Sequence, residues 1–585
     1  MCAGGHGRID GGTTATPTDG GEILLPGFSR PERPSGPGPG GKAGHPGGPA
    51  GQRIRHGPGR EPGRAPAGTG SQGDHGKGVA VKLVDLTQAI EVVQWDGTQD
   101  LEVTAVTADS RAAGPDTLFV AVKGTTADGH RFLPTALERG CRAAVVSVEA
   151  AATLDPALRA RFAALVRVAD TRFAPALLAR TLAGAPDAQL FTAGVTGTNG
   201  KTTVSFLLQS VLGRLRGPCG LLGTIRYQAG DLQEPAPLTT PAGPELYRWL
   251  GLMVQEGCRS VAMELSSHAL DQGRAAGLRL DVAVMTNLGR DHLDYHRDLA
   301  AYLAAKAGIF DHLDPDGGAA VINADDPAFS DLVDGLSEPI LFSATGRPCG
   351  KRIPDLTVTD SRLDRSGSRV DFTWRGRPLT VKSPLVGRYN VENLTATLAA
   401  VLGAGFDPDR AVAALESLEQ VPGRMERFVL PSGGLAVVDY AHTAEAVAAV
   451  LRACAELTSR RILVVFGCGG DRDRGKRPLM GRAAADLADA VWVTSDNPRT
   501  EDPEAIIAEV LAGIDGVPAP RARSRVVIPD RAAAIADALG ATGDQDVVVI
   551  AGKGHEDYQL VGDQVLPLDD RRIVREWIAA QGGGA

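Results

Sequence analysis

From about residue 80 onward the chain alternates between short runs of β-branched, apolar residues and Ala/Leu-rich stretches of helical period. The runs Thr117–Val122, Ala143–Val148, Phe191–Thr196, Arg259–Leu265, Asp281–Thr286, Ala319–Asn323, Leu435–Tyr440, Ile462–Phe466, Val491–Thr494 and Val547–Ala551 read as strands. Helical stretches such as Val204–Leu215 and Leu299–Phe310 lie between them. A strand apolar at nearly every position must be covered on both faces. Strands joined through helices can then pair in parallel, which predicts a doubly wound α/β architecture. Such sheets bind ligands beyond the carboxyl ends of their strands, so the chemistry is expected just after those runs.

A length of 585 residues allows several domains, and three suit ordinary domain sizes. The joints Ala183-Gly-Ala-Pro186 and Val421-Pro-Gly423 divide the chain into residues 81–184, 185–422 and 423–585. Residues 1–80 differ: PERPSGPGPGGKAGHPGGPAG has too few large apolar groups to offset ordering entropy, so this extension is expected to be disordered. It reads either as a flexible tail or as a start placed too far upstream, since Val81-Lys82-Leu83 opens the first hydrophobic pattern.

The formal net charge of −9 argues against general nucleic-acid binding. Seven cysteines stand singly, with no CxxC pair, which fits a reducing compartment rather than a disulfide framework or a zinc site. No apolar run approaches the roughly 20 residues needed to span a bilayer, and the N-terminus carries no signal-peptide apolar segment. The expectation is a cytoplasmic, monomeric protein without membrane insertion.

Gly194-Val-Thr-Gly-Thr-Asn-Gly-Lys-Thr-Thr203 sits between a predicted strand and a predicted helix. Small residues there let backbone N–H groups close around phosphate oxygens, and the helix N-terminus adds a favourable dipole. Lys201 can reach terminal phosphates, and the Thr202 hydroxyl can hold Mg²⁺. Val195 stands where the usual pattern has its first glycine. The Lys-Thr pair favours nucleotide binding over a plain glycine-rich turn, but the loop names no reaction.

Met263-Glu-Leu-Ser-Ser-His268 puts a carboxylate at the next strand end, and Thr286-Asn-Leu-Gly-Arg-Asp-His-Leu-Asp-Tyr-His296 puts further donors beyond another. Mg²⁺ prefers oxygen, so Glu264 joins Thr202 as a candidate ligand. His268, His292 and His296 read equally as ordinary polar loop residues. Lys306 lies one helical turn from Tyr302, where a lysine is normally a solvated charge.

Together, Gly197-Thr-Asn-Gly-Lys-Thr-Thr203, Glu264-Leu-Ser-Ser-His268, Asn287-x-x-x-Asp-His-Leu-Asp294, Tyr302-x-x-x-Lys306, Asn323-Ala-Asp-Asp326, Gly387-Arg-Tyr-Asn-Val-Glu-Asn393, Gly423-Arg-Met-Glu426 and Asp439-Tyr-Ala-His442 resemble the Mur ligase family over nearly the whole chain from Val81. The resemblance implies a central ATPase domain, a Rossmann-like C-terminal domain and amide-bond formation in peptidoglycan synthesis. It implies an ATP site at Gly197, Thr198, Asn199, Gly200, Lys201, Thr202 and Thr203, with Asn323 at the adenine and Arg424 and Asp439 approaching from the C-terminal side. Two Mg²⁺ ions are implied, one on Thr202 and Glu264, the other on His292 and Lys306. Lys306 would be carbamylated to N6-carboxylysine. Lys201, His292 and Lys306 would serve the chemistry.

Within the family the motifs are most similar to members that attach the third residue of the peptide stem. Asp109-Ser-Arg111, Leu118-Phe-Val-Ala121 and Asp128-Gly-His130 resemble a uridine-nucleotide domain, with Ser110 and the turn Thr125, Thr126, Ala127 at the UDP group. Thr239, Thr240, Ser266, Gln272 and Arg274 would meet the muramoyl dipeptide; Leu238 stands where Asn can occur. Asp496-Asn497-Pro498-Arg499 goes, in this family, with meso-diaminopimelate. Arg499 and Arg472 would hold its distal carboxylate, and Gly552 and Glu556 its ammonium. Ala444 replaces a usual Pro after Asp-Tyr-Ala-His-Thr.

The implied reaction converts the D-glutamyl γ-carboxylate of UDP-N-acetylmuramoyl-L-alanyl-D-glutamate to an acyl phosphate, which the diaminopimelate amine then attacks. Three other readings remain: a lysine- or ornithine-adding member, a folylpolyglutamate synthase-like ligase, and a nucleotide-binding regulator without catalysis. The uridine-like domain and Asp496-Asn497-Pro498-Arg499 speak against the folate reading, and the coexistence of Glu264, His292 and Lys306 against the regulator.

Overall fold

The computed structural model describes residues 80–124, 127–349 and 351–582. The Gly/Pro-rich extension up to residue 79, and Thr125 and Thr126, lie outside the described residues. The chain forms three principal sheets, each flanked by its own helices.

The first sheet has five strands in the order Val92–Gly97, Ala164–Val168, Ala143–Ser147, Thr117–Val120, Ala105–Thr107. It is parallel except at the Val92–Gly97 edge. The central sheet has eleven strands. Its parallel body runs Cys219–Leu222, Ser260–Glu264, Phe191–Thr196, Val282–Met285, Ala319–Asn323, Ile340–Ser343, Leu356–Asp364. The third has six strands, Glu426–Val429, Leu435–Asp439, Val547–Ala551, Ile462–Phe466, Ala490–Val493, Ser524–Val527, with only the first antiparallel.

The continuous apolar runs behave as predicted. Ser260–Glu264, Leu435–Asp439, Ile462–Phe466 and Val547–Ala551 are buried at every residue. Along Val282–Met285, successive side chains enter different cores: Val282 and Val284 pack with Val204, Leu208 and Leu394, while Ala283 and Met285 pack with Leu265, Ile309 and Ile322. The pleat sends alternate residues to opposite faces, so a strand apolar throughout feeds two cores at once.

The parallel bodies are joined by antiparallel strands, so the sheets are mixed. Antiparallel hairpins extend both edges of the central sheet, Arg226–Ala229 with Leu232–Pro235 on one side and Gly367–Trp374 with Arg377–Ser383 on the other. These strands have one face partly exposed, so their sequences lack the continuous apolar run that marked the others. The turn at Arg375-Gly376 has positive φ at both central residues (44° and 86°), the type I′ geometry that suits the twist of a two-residue hairpin. The helix read as Leu299–Phe310 is α-helical over Leu299–Ala307 and tightens to 3₁₀ over Gly308–His312.

Where the central and third sheets join, Gly423 (φ +64°) passes Gly554 (φ +55°) backbone against backbone. A methyl at Gly423 would fall 2.2 Å from both the Gly554 carbonyl carbon and the His555 nitrogen. Among the described residues no helix is long and apolar enough to cross a membrane.

Candidate active site

The loop Gly197–Gly200 leaves the strand Phe191–Thr196 and turns directly into the helix Lys201–Arg216. Gly197 has φ +142° and lies so close to Thr286 that a methyl would stand 1.9 Å from its Oγ1. Gly200, at φ +86°, faces Asn393 Oδ1 in the same way at 2.5 Å. Neighbouring strand ends brace the loop: Thr286 Oγ1 donates to the Asn199 carbonyl (2.6 Å), and Asn287 Oδ1 accepts the Asn199 N–H (2.8 Å). Thr198 Oγ1 accepts the Gly289 N–H (2.8 Å) and lies 3.2 Å from the Tyr302 hydroxyl. Thr203 is buried in the first turn of the helix.

Lys201 Nζ donates to the carbonyls of Gly197 (2.7 Å) and Thr198 (2.9 Å). Lys306 Nζ donates to the same Gly197 carbonyl (2.8 Å) and sits 4.4 Å from the Tyr302 ring centre. Lys306 is only 1% exposed, so the expectation of a solvated charge does not describe it. Burial, and next the neighbouring Lys201 ammonium, hold its amine down to about 6, and burial lowers Lys201 as well. His292 has φ +52° and flanks the same Tyr302 ring at 6.3 Å between centroids. His296 is instead buried against Ser267 Oγ (3.0 Å), and His268 packs between His292 and Tyr295, so these two shape the loop.

Glu264 is fully buried at its strand end. Its Oε2 accepts the hydroxyls of Thr202 (3.1 Å) and Thr224 (3.0 Å), and its Oε1 accepts the Thr224 N–H (2.7 Å). Among the described residues this carboxylate has hydroxyl and amide partners but no salt bridge. A buried carboxylate beside a phosphate-loop hydroxyl is the donor set a hard divalent cation takes. Among the described residues no three His, Cys, Asp or Glu side chains gather as a ready cation cage.

The third sheet brings Arg424 to this site: its Nη2 lies 3.4 Å from Thr202 Oγ1, and its guanidinium stacks 4.7 Å over Tyr440. Asp439 stands behind it, accepting the N–H groups of Met425 (2.8 Å) and Ala441 (2.9 Å), so it holds the turn that carries Arg424. Asn323 donates to the Thr286 carbonyl and accepts the Asp325 N–H, leaving one N–H and one lone pair unengaged among the described residues.

The candidate dipeptide residues form one network. Thr240 Oγ1 bridges the Glu264 carbonyl (2.8 Å) and the Ser266 N–H (3.0 Å). Arg274 donates to Gln272 Oε1 and to the Thr240 carbonyl, and Thr239 lies 3.1 Å from the Thr224 hydroxyl. Ser110 and Ala127 are on the first sheet's domain and make no side-chain hydrogen bond to this network; Ser110 is buried and Ala127 exposed.

Beyond the third sheet's strands, the candidate amino-acid residues converge. A methyl at Gly469 would meet both Arg499 Nη1 (2.9 Å) and Arg472 Cγ (3.9 Å), so the two arginines come together there. Arg499, at φ +53°, is tethered through Nη1 to the Gly470 carbonyl (2.7 Å). Gly552 (φ +118°) lies against Asp496, where a methyl would be 2.7 Å from Oδ2. Glu556 Oε2 accepts the Asn497 amide (3.0 Å). The hairpin Tyr558–Val561/Gln564–Pro567 supports the loop from behind: Arg499 N–H donates to the Leu560 carbonyl, and Gln559 Nε2 to the Asp496 carbonyl. The sequence reading missed Thr224, whose signal was a hydroxyl just past the strand Cys219–Leu222. It also missed this hairpin.

Family profiles match three segments: the Mur ligase middle domain at residues 195–401, the Mur ligase glutamate ligase domain at 423–554, and the Mur ligase family catalytic domain at 102–182. The chain is 39% identical over 501 residues to a UDP-N-acetylmuramoyl-L-alanyl-D-glutamate--2,6-diaminopimelate ligase of Syntrophomonas wolfei, covering 85% of this chain and 99% of that one. A protein of the same name from Gloeobacter violaceus is 42% identical over 480 residues, with 82% and 94% covered. A solved structure of a ligase so named superposes with a TM-score of 0.62 at 35% identity, over 86% of this chain and all of the other. A folylpolyglutamate synthase from Mycobacterium tuberculosis shares the fold at a TM-score of 0.51 and 20% identity, over 66% of this chain and 92% of its own.

Proposed function

Since the chain belongs to the Mur ligase family, and is thus an ATP-dependent ligase, we propose that it joins meso-diaminopimelate to UDP-N-acetylmuramoyl-L-alanyl-D-glutamate in peptidoglycan synthesis. The observation that carries the amino-acid assignment is that Arg472 and Arg499 come together at Gly469 while Asp496 lies against Gly552 and Glu556 bonds to Asn497. Diaminopimelate ends in both a carboxylate and an ammonium, and this arrangement offers partners for each.

The reaction proceeds through an acyl phosphate. The D-glutamyl γ-carboxylate attacks the γ-phosphorus of ATP, the bond to the β-phosphate oxygen breaks, and ADP leaves. The diaminopimelate amine, having lost one proton, then attacks the acyl carbon; its nitrogen gives up a second proton, and phosphate departs with the C–O bonding pair and can carry that proton. The first step sets one anion against another, so positive charge must be placed before the groups meet. Lys201 supplies one such charge at the head of the helix, and Arg424 brings another from the third sheet. Thr240, Ser266, Gln272 and Arg274 orient the dipeptide beside Glu264.

Thr202 and Glu264 would hold one Mg²⁺, and His292 with carbamylated Lys306 a second. When bound, the ions neutralise phosphate charge and align the reacting oxygens. Carbamylation adds the neutral Lys306 amine to CO₂ with loss of one proton, turning a cation into a carboxylate. An amine held down to about 6 is largely neutral at pH 7, the form this addition needs.

The test is product mass after incubating the purified protein with ATP, Mg²⁺, the UDP-muramoyl dipeptide and, separately, meso-diaminopimelate, lysine or ornithine. Product with diaminopimelate alone is expected. Product with lysine or ornithine instead would overturn the amino-acid assignment and leave the ligase class standing.

A further inference from the structure

Lys553 lies between Gly552 and Glu556 on the amino-acid loop and has no part in the site described above. It is fully buried, an unusual place for an ammonium. Its Nζ donates to Glu556 Oε2 (2.9 Å) and to Asn497 Oδ1 (3.2 Å), and lies 5.3 Å from the Tyr558 ring centre. Asn497 closes the ring by donating its Nδ2 to the same Glu556 Oε2 (3.0 Å), while its Oδ1 also accepts the Leu560 N–H (3.0 Å).

Two consequences follow. With Lys553 and the Leu560 amide both on Oδ1, the Asn497 side chain can point only its Nδ2 at Glu556. Glu556 Oε2 then carries two donors, and Oε1 takes neither of those bonds, so that oxygen is the one presented to a ligand ammonium. The second consequence concerns charge. Lys553 is the ion-pair partner of Glu556, so its removal leaves that carboxylate without the cation that compensates it. The distal end of diaminopimelate is a zwitterion, whereas that of lysine is a bare cation.

We propose that Lys553 is a positioning and specificity residue: through Asn497 and Glu556 it fixes the ammonium acceptor, and its buried charge favours a diamino acid bearing a distal carboxylate over one without. This deepens the diaminopimelate reading and rests on it.

The experiment compares kcat/KM for meso-diaminopimelate and for lysine in the wild-type protein, Lys553→Met and Lys553→Gln. The Gln variant keeps a donor for both Glu556 and Asn497, which guards the fold. Both variants are expected to lower the ratio of the two kcat/KM values by roughly 10-fold or more, the scale of one unit charge acting over several ångströms at a protein-like dielectric. KM for diaminopimelate should rise while KM for ATP stays put. Lys553→Arg, which retains the charge, should keep most of the selectivity. If both neutral variants lose the two activities in equal proportion, or neither folds, Lys553 is merely structural and the proposal falls. A wild-type preference for lysine would instead sink the diaminopimelate reading, a distinguishable failure.

Discussion

Replacing Thr224 by Val removes one atom group from the most buried carboxylate of the site. Glu264 accepts three hydrogen bonds, and Thr224 supplies two of them, through its hydroxyl at 3.0 Å and its N–H at 2.7 Å. Valine keeps the branched shape and the backbone bond and loses only the hydroxyl, which bears on the same Oε2 that faces Thr202. A hydrogen bond to a charged acceptor contributes about 1.5–3 kcal/mol, equivalent to roughly 10- to 150-fold in an equilibrium constant. If Glu264 and Thr202 hold a Mg²⁺, that loss should appear as weaker ion binding, in line with the ~10–100-fold cost usual for residues that orient a metal ligand. The assay is initial ligation rate against free Mg²⁺ at saturating ATP and dipeptide. The half-saturating concentration should rise by about 10-fold or more in Thr224→Val and return towards normal in Thr224→Ser. A folded Thr224→Val protein with wild-type Mg²⁺ dependence would refute the reasoning.

Other outcomes are expected. Lys306→Ala should lower ligation by on the order of 100-fold or more, with partial recovery on adding formate or acetate; absence of any recovery would count against a carbamate. Gly197→Ala, at φ +142° and 1.9 Å from Thr286 Oγ1, should weaken binding of a non-hydrolysable ATP analogue by at least ~10-fold in calorimetry, and unchanged affinity would mean that the loop does not hold phosphate. Arg499→Ala should raise KM for diaminopimelate by about 10- to 100-fold with little change for ATP; equal effects on both would point to a folding defect. His555 is held down to about 3, chiefly by burial and then by Arg424. The native state therefore stays unprotonated while the unfolded chain takes up a proton below about 6.5, so stability is lost as pH falls from about 6.5 to about 3, by at most ~1.4 kcal/mol per pH unit. His555→Asn should flatten that acid slope in urea titrations, and an unchanged slope would remove His555 from the account.

The parallel bodies of the three sheets were legible because a strand buried on both faces writes its burial into every residue. Phe191–Thr196, Ala319–Asn323, Ile462–Phe466 and Val547–Ala551 match residue for residue. The edge hairpins were not, because half-exposed strands such as Arg377–Ser383 carry Arg, Thr and Lys on their open face and lack a continuous apolar run. Glu264 was a candidate from its place at a strand end, whereas Asp496 was singled out only through the family resemblance. Lys306 was not readable from local pattern: only a fold that brings its helix beneath the phosphate loop can bury it, and the family resemblance supplied that context. Thr224 and Lys553 escaped notice because their roles are contacts across 40 and 56 residues of chain, to Glu264 and Asn497.

The crossing of Gly423 and Gly554 couples two matters that enzymes often keep apart. One glycine precedes Arg424 on the turn that reaches the phosphate loop, the other lies in the candidate amino-acid loop. They touch through main chain, where no rotamer can absorb a displacement. Any side chain added at Gly423 must therefore push the Gly552–Glu556 loop away from the turn that carries Arg424.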